Sequence, residues 1–201
     1  MTQQPVAVVH LTAPAARVIT TELRTADHTT ETGGILLGHH TRDTVTVHHA
    51  GTPGPAAVRT PTYFLRDLAH AQALADAAFA ADSSVWVGEW HTHPTGRPVP
   101  SARDTATYRD LLDDPELGFH SVIAVIFAPR QGRWTGAAWT CHGRRVAPVE
   151  LTISPVDGPR REDPPPRPRR FRPPRRPAPA SPHDEPSIAA RSPQPGRTHP
   201  R

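Results

Sequence analysis

Of 201 residues, one is cysteine, none is lysine, and no apolar run approaches the length of a bilayer span. A lone Cys141 excludes an intrachain disulfide framework, so the fold must hold without covalent staples, and a reducing compartment is the expected setting. The N-terminus, Met-Thr-Gln-Gln-Pro, lacks a basic region followed by an apolar stretch, and so it does not read as a secretory signal. With no segment of spanning length either, the expectation is a soluble, cytoplasmic protein with no membrane partner. All 23 basic residues are arginine, which together with the alanine and proline bias fits a GC-rich coding sequence.

What is present divides unevenly. From Pro159 onward, 14 of 43 residues are proline, and eleven arginines face four acidic residues, so this stretch carries about +7. The first 158 residues hold twelve arginines against fifteen acidic residues, about −3, so the high isoelectric point describes the end of the chain and not its bulk. Proline at that density favours extended, disordered chain. The organisation expected is one domain over residues 1–155 followed by a disordered Pro/Arg-rich C-terminal tail over 156–201. Arginines 167–176 could attract phosphate, but Phe171 is the lone aromatic there for base stacking. A solvated tail is therefore preferred to a nucleic-acid-binding arm.

Within the domain, hydrophobic periodicity predicts strands at Val6–Leu11, Ile35–Leu37, Thr44–His48, Thr62–Leu65, Val85–His91, Ser121–Phe127, Arg133–Thr140 and Val146–Ile153. Helices are predicted over Ala13–Ala26, over Asp67–Ala81 with Leu68, Leu74, Ala78 and Phe79 as its apolar stripe, and over Ser101–Leu112. Hairpins and helices alternate, which indicates an α+β domain with a mixed, mostly antiparallel sheet flanked by helices.

The chemistry concentrates in fourteen residues, His91 to Asp104. His91 and His93 lie two apart on a strand end and so share a face. Ser101 and Asp104 follow in an S-x-x-D spacing that puts Asp104 in the first turn of the next helix. Taken singly, these halves read as a polar strand end and a helix capping box. Together they are joined by a loop stiffened by Pro94, Pro98 and Pro100, which lowers the entropy cost of holding distant ligands in one geometry. Two imidazoles, one carboxylate and no thiolate make a ligand set suited to a catalytic zinc with its fourth position left for water. Such a site needs a carboxylate base outside the ligand set. Glu89 shares the face of the histidine pair; Glu31 precedes the Gly33-Gly34-Ile35-Leu36-Leu37-Gly38 run, where glycines permit close backbone approach. Spacing alone favours Glu89.

This combination resembles the JAMM (MPN-type) zinc metallopeptidases, whose pattern is a glutamate before a Gly-rich apolar strand, then H-(S/T)-H, seven residues, and S-x-x-D. Here Glu31 is followed by His91-Thr92-His93, seven residues from Pro94 to Pro100, and Ser101-Ala102-Arg103-Asp104, with the likeness extending over about residues 5–153. The resemblance implies that His91, His93 and Asp104 ligate Zn2+, that Glu31 is the acid/base, and that Ser101 supports the oxyanion. It implies amide hydrolysis by an activated water. It also implies a substrate bearing the C-terminal tail of a ubiquitin-like protein, either conjugated or extended. The segment Gly88-Glu89-Trp90-His91-Thr92-His93-Pro94 is most similar to the bacterial Prok-JAB branch, which includes deconjugating peptidases of antiphage (CBASS-type) operons. The alternatives are processing of a sulfur-carrier protein in cysteine biosynthesis and a non-catalytic MPN scaffold, though scaffolds lose the ligands that this chain keeps. The proline-spaced loop is also similar to the RadC-like branch.

Other residues are expected to have plainer roles. His39-His40 and His48-His49 read as exposed hairpin positions in preference to a second metal site. Trp86, Trp90, Trp134 and Trp139 read as core or groove lining, Cys141 as a strand-end residue, and Arg97 and Arg103 as solvated arginines.

Overall fold

The computed structural model describes residues 5–156. Its elements are β1 (Val8–Leu11), α1 (Ala13–Thr25), β2 (Gly33–Thr41), β3 (Thr44–Ala50), β4 (Val58–Thr60), β5 (Tyr63–Leu65), α2 (Leu68–Asp82), β6 (Val85–Thr92), α3 (Ala102–Asp113), β7 (Val122–Arg130), β8 (Arg133–His142) and β9 (Arg145–Ile153). The tail expected beyond residue 156 lies outside the described residues. Among the described residues, no helix is long and apolar enough to cross a membrane.

Seven strands close into a barrel in the order β1-β3-β2-β6-β7-β8-β9, with β9 returning to β1, while β4 and β5 form a separate two-stranded sheet. The α+β expectation holds, but the barrel is more evenly mixed than expected. Four of its seven pairings are antiparallel and three are parallel. One parallel pairing follows from a crossover: β6 and β7 are joined through α3, and only a long connection lets consecutive strands run the same way.

Alternation explains the walls. On β3, Val45 and Val47 are fully buried while Thr44, Thr46 and His48 are half-buried on the other face. Strand β7 shows no alternation because both its faces are covered: Ile123, Val125 and Phe127 enter the main core, and Val122 and Ala124 pack with Tyr108 of α3. Trp90, Leu11, Ile19 and Leu36 complete the large buried side chains of the main core, each contributing about 1.5–3 kcal/mol relative to exposure.

Helix α2 departs from the expected stripe. The residues meeting Ile35, Leu37 and Trp86 are Ala71, Leu74, Ala75 and Ala78, a helical face made mostly of small side chains. Leu68 and Phe79 are instead 67% and 61% exposed. Alanine lets the helix lie close to the sheet, and the larger residues at its ends then fall outside the contact. Strand β4 was not anticipated either: Val58-Arg59-Thr60 is three residues long, carries no apolar period, and none of the three is buried.

Candidate metal centre

The centre is built at the end of β6. Gly33 of β2 pairs opposite His91, and a Cβ at Gly33 would fall on the Trp90 carbonyl oxygen. One at Gly34 would fall on the Gly51 carbonyl oxygen. The two glycines therefore let β2 pass close enough for the residues just before it to reach the histidines. Thr92 locks this register: its N–H donates to the Thr32 carbonyl at 2.8 Å, and its hydroxyl oxygen accepts from the Thr32 N–H at 3.0 Å. Past the strand end, His93 N–H donates to the Phe127 carbonyl at 2.8 Å.

His91 Nε2 and His93 Nε2 are 3.1 Å apart; Asp104 Oδ1 lies 3.6 Å from His91 Nε2, and Asp104 Oδ2 lies 3.3 Å from His93 Nε2. Among the described residues this is the one group of three or more potential ligands converging within 4.8 Å. His93 Nδ1 faces the Arg97 carbonyl at 3.0 Å. A carbonyl only accepts, so Nδ1 carries the proton and Nε2 keeps its lone pair, the arrangement that orients a metal-ligating imidazole. Lone pairs brought this close repel unless a cation or a proton lies among them. The donor set and its geometry therefore fit zinc.

Asp104 serves two ends at once. Its Oδ2 accepts from Ser101 N–H at 2.6 Å while Ser101 Oγ accepts from Asp104 N–H at 3.1 Å, a complete capping box opening α3. The capping reading of S-x-x-D is therefore realised, and the same Asp104 carboxylate faces both imidazoles. Burial alone would raise the Asp104 carboxyl, but the adjacent His91 and His93 imidazoles, when protonated, outweigh it and hold Asp104 well below the usual carboxylate range. For His93, burial opposes protonation, yet the Asp104 carboxylate and the Arg97 carbonyl together move it upward.

Glu31 lines a narrow cleft of about 130 Å³ together with His91 and Asp104, and only 8% of its surface is exposed. Burial pushes its carboxyl above the ordinary glutamate value, against the opposing charges of His91 and His93. Glu89 lines the same cleft, but its carboxylate is taken up by an ion pair with Arg66. Proximity in sequence thus favoured the carboxylate that is already engaged, and the structure brings Glu31 to the ligands through the β2–β6 register.

Several contributors were missed. In sequence Thr92 reads only as the middle position of the H-(S/T)-H pattern, and its hydroxyl is the β2 anchor. Arg103 is not simply solvated: Nη1 donates to the Thr62 carbonyl at 3.3 Å and its guanidinium stands 5.2 Å from the Tyr63 ring centre. Arg97 contributes its backbone carbonyl to His93. The pairing of Arg66 with Glu89 left no signal in spacing. Elsewhere, His49 bonds Asp82 at 2.8 Å and the His39 and His48 rings meet edge to face, without a third ligand. Trp90 is buried in the core, Trp139 Nε1–H donates to the Pro98 carbonyl at 3.0 Å, and Cys141 is buried near the end of β8.

Known proteins share this architecture. The chain is 35% identical over 110 residues to a Vibrio cholerae protein named CD-NTase/cGAS isopeptidase, covering 54% of this chain and 67% of that one. It is 37% identical over 123 residues to an Enterobacter hormaechei protein of the same name, covering 60% and 68%. An Escherichia coli protein so named is 35% identical over 81 residues, 39% of this chain and 52% of its own length. In fold, the chain is similar to a solution structure of a Desulfitobacterium hafniense protein, with a TM-score of 0.55 at 20% identity, covering 73% of this chain and 92% of that one. The family model of prokaryotic homologs of the JAB domain matches residues 13–142, a span that contains Glu31, His91, His93, Ser101 and Asp104, and the chain belongs to that family.

Proposed function

We propose that this chain is a zinc-dependent isopeptidase that hydrolyses the amide joining the C-terminal tail of one protein to its conjugate. The observation that carries the reading is the convergence of His91, His93 and Asp104 beside a buried, otherwise uncommitted Glu31. Those three side chains would hold the metal. Zinc in such a site supplies Lewis-acid polarisation of a carbonyl and makes water a nucleophile at neutral pH.

The protein's own groups do the rest. Glu31, raised by burial, takes a proton from the attacking water on its carboxylate and delivers it to the leaving amine nitrogen, so the amide and one water become an acid and an amine. Ser101 accepts from the Asp104 N–H, which leaves its hydroxyl hydrogen to donate to the developing oxyanion. The Arg97 carbonyl and Thr92 hold the His93 tautomer and the β2 register while the proton moves. The chemistry is assigned to residues 1–155.

The relatives' names support a conjugate of a CD-NTase as the first substrate to test, with ubiquitin-like proteins as the second class, because a narrow cleft beside a short sheet suits an extended tail. The test uses the full chain and a CD-NTase whose C-terminal carboxyl is amide-linked to a lysine side chain. Expected are one zinc per chain, hydrolysis that chelator removes and zinc restores, and a Glu31→Gln variant that keeps zinc but not hydrolysis. Glu31→Gln with wild-type turnover would overturn the assignment.

A further inference from the structure

No residue between Val58 and Leu65 is buried, and the β4–β5 hairpin shares no ladder with the barrel. An isolated two-stranded ribbon is marginal at best, so this one depends on ties to its surroundings. Those ties are polar. Glu31 N–H donates to the Thr60 carbonyl at 2.8 Å. Arg59 Nη1 donates to Glu22 Oε1 at 3.3 Å and to Thr32 Oγ1 at 3.2 Å. Arg103 holds Thr62 and stands over Tyr63, and Arg66, at the foot of β5, pairs with Glu89.

The ties reach three parts of the catalytic corner: the chain just before β2, the strand carrying His91, and the helix turn carrying Asp104. They differ in strength. The side chains of Arg66 and Glu89 are only 13% and 14% exposed, against 34% and 15% for Arg59 and Glu22. A pair withdrawn from water is screened less, and losing one partner strands a charge. The Arg66 guanidinium also stands over the Trp86 ring, 5.4 Å from its centre, so both neighbours fix its direction. The hairpin residues Thr62 to Leu65 form one side of the cleft opposite Glu31, His91 and Asp104.

We propose that Arg66 is a positioning residue: its ion pair with Glu89 holds the β4–β5 hairpin as the outer wall of the cleft and thereby sets how tightly an extended substrate tail is bound. It does not touch the reacting atoms. The kinetic consequence rests on the isopeptidase reading; the consequence for the hairpin itself does not.

The test compares full-length wild type, Arg66→Gln, Glu89→Gln, the double variant and Arg66→Lys. Without substrate, chymotrypsin cuts after Tyr63, Phe64 and Leu65 at least tenfold faster in either single variant. With the amide-linked CD-NTase conjugate, KM rises about tenfold while kcat stays within twofold, and zinc stoichiometry is unchanged. Arg66→Lys, which keeps the charge but not the planar fork, falls between. The double variant strands no charge, so its Tm returns to near wild type while nicking and KM stay raised. Nicking at the wild-type rate, or a KM that recovers together with Tm in the double variant, would overturn the proposal. If wild type hydrolyses no conjugate, the isopeptidase reading fails while the nicking rates still decide the clasp.

Discussion

The metal corner and the β4–β5 hairpin face each other across one cleft, yet they are held by different forces. The corner rests on backbone: the Thr32–Thr92 exchange, the His93 bond to Phe127, the capping box and a proline-stiffened loop. His91 and Thr92 are buried, His93 and Asp104 half-buried, and each is held by more than one contact. The hairpin leaves its residues at the surface and depends chiefly on arginine side chains reaching across to it. Chemistry needs fixed distances, and backbone bonds supply them. A wall that must admit a chain can be held by a few side-chain contacts, the half-buried Arg66–Glu89 pair foremost among them.

Breaking the corner has the largest effect. Asp104→Asn keeps a side chain able to cap α3 but loses the anionic ligand, so zinc retention and hydrolysis both fail while circular dichroism stays unchanged. Glu31→Gln lowers kcat/KM by about 10²–10⁴-fold with zinc retained, as expected for loss of a general base.

The same variant reports on stability with a definite sign. Burial raises the Glu31 pKa above its unfolded value, so the folded state binds the proton more tightly and the ionised carboxylate opposes folding at high pH. Metal-free Glu31→Gln therefore melts higher than wild type above the folded pKa of Glu31. The gain shrinks as pH falls toward the ordinary glutamate value and vanishes below it. Thermal melts across pH 4 to 8 in chelator check this; a gain that grew on acidification would contradict it.

Next in size is Thr92→Val, which leaves the Thr32 N–H without its partner and costs about 1–3 kcal/mol, read as a fall in Tm with a smaller loss of activity. On the hairpin side, Arg59→Gln removes a more exposed pair worth about 0–1 kcal/mol and should change KM less than Arg66→Gln does. Smallest is Phe79→Ser on the exposed end of α2, expected within about 0.5 kcal/mol of wild type by denaturant melts.

The contrast also explains what the sequence made legible. The His91, His93 and Asp104 cluster could be read because both halves lie within fourteen residues and each half imposes its own spacing. Glu31 could be preferred to Glu89 only through resemblance, because its place depends on Gly33 pairing with His91, a register 58 residues apart. The clasp was invisible: Arg59, Arg66 and Arg103 are common surface residues whose partners are set by tertiary geometry alone. The α2 stripe misled because alanines, which carry little hydrophobic signal, make the contact that Leu68 and Phe79 were expected to make. Strand β7 was plain for the opposite reason, since burial on both faces leaves an unbroken apolar run.

The most direct measurement loads full-length wild type and Glu31→Gln with zinc and follows cleavage of the amide-linked CD-NTase conjugate by each. The account predicts one zinc per chain in both proteins and turnover about 10²–10⁴-fold slower in the variant. Equal turnover, or wild-type turnover with no zinc bound, would contradict it.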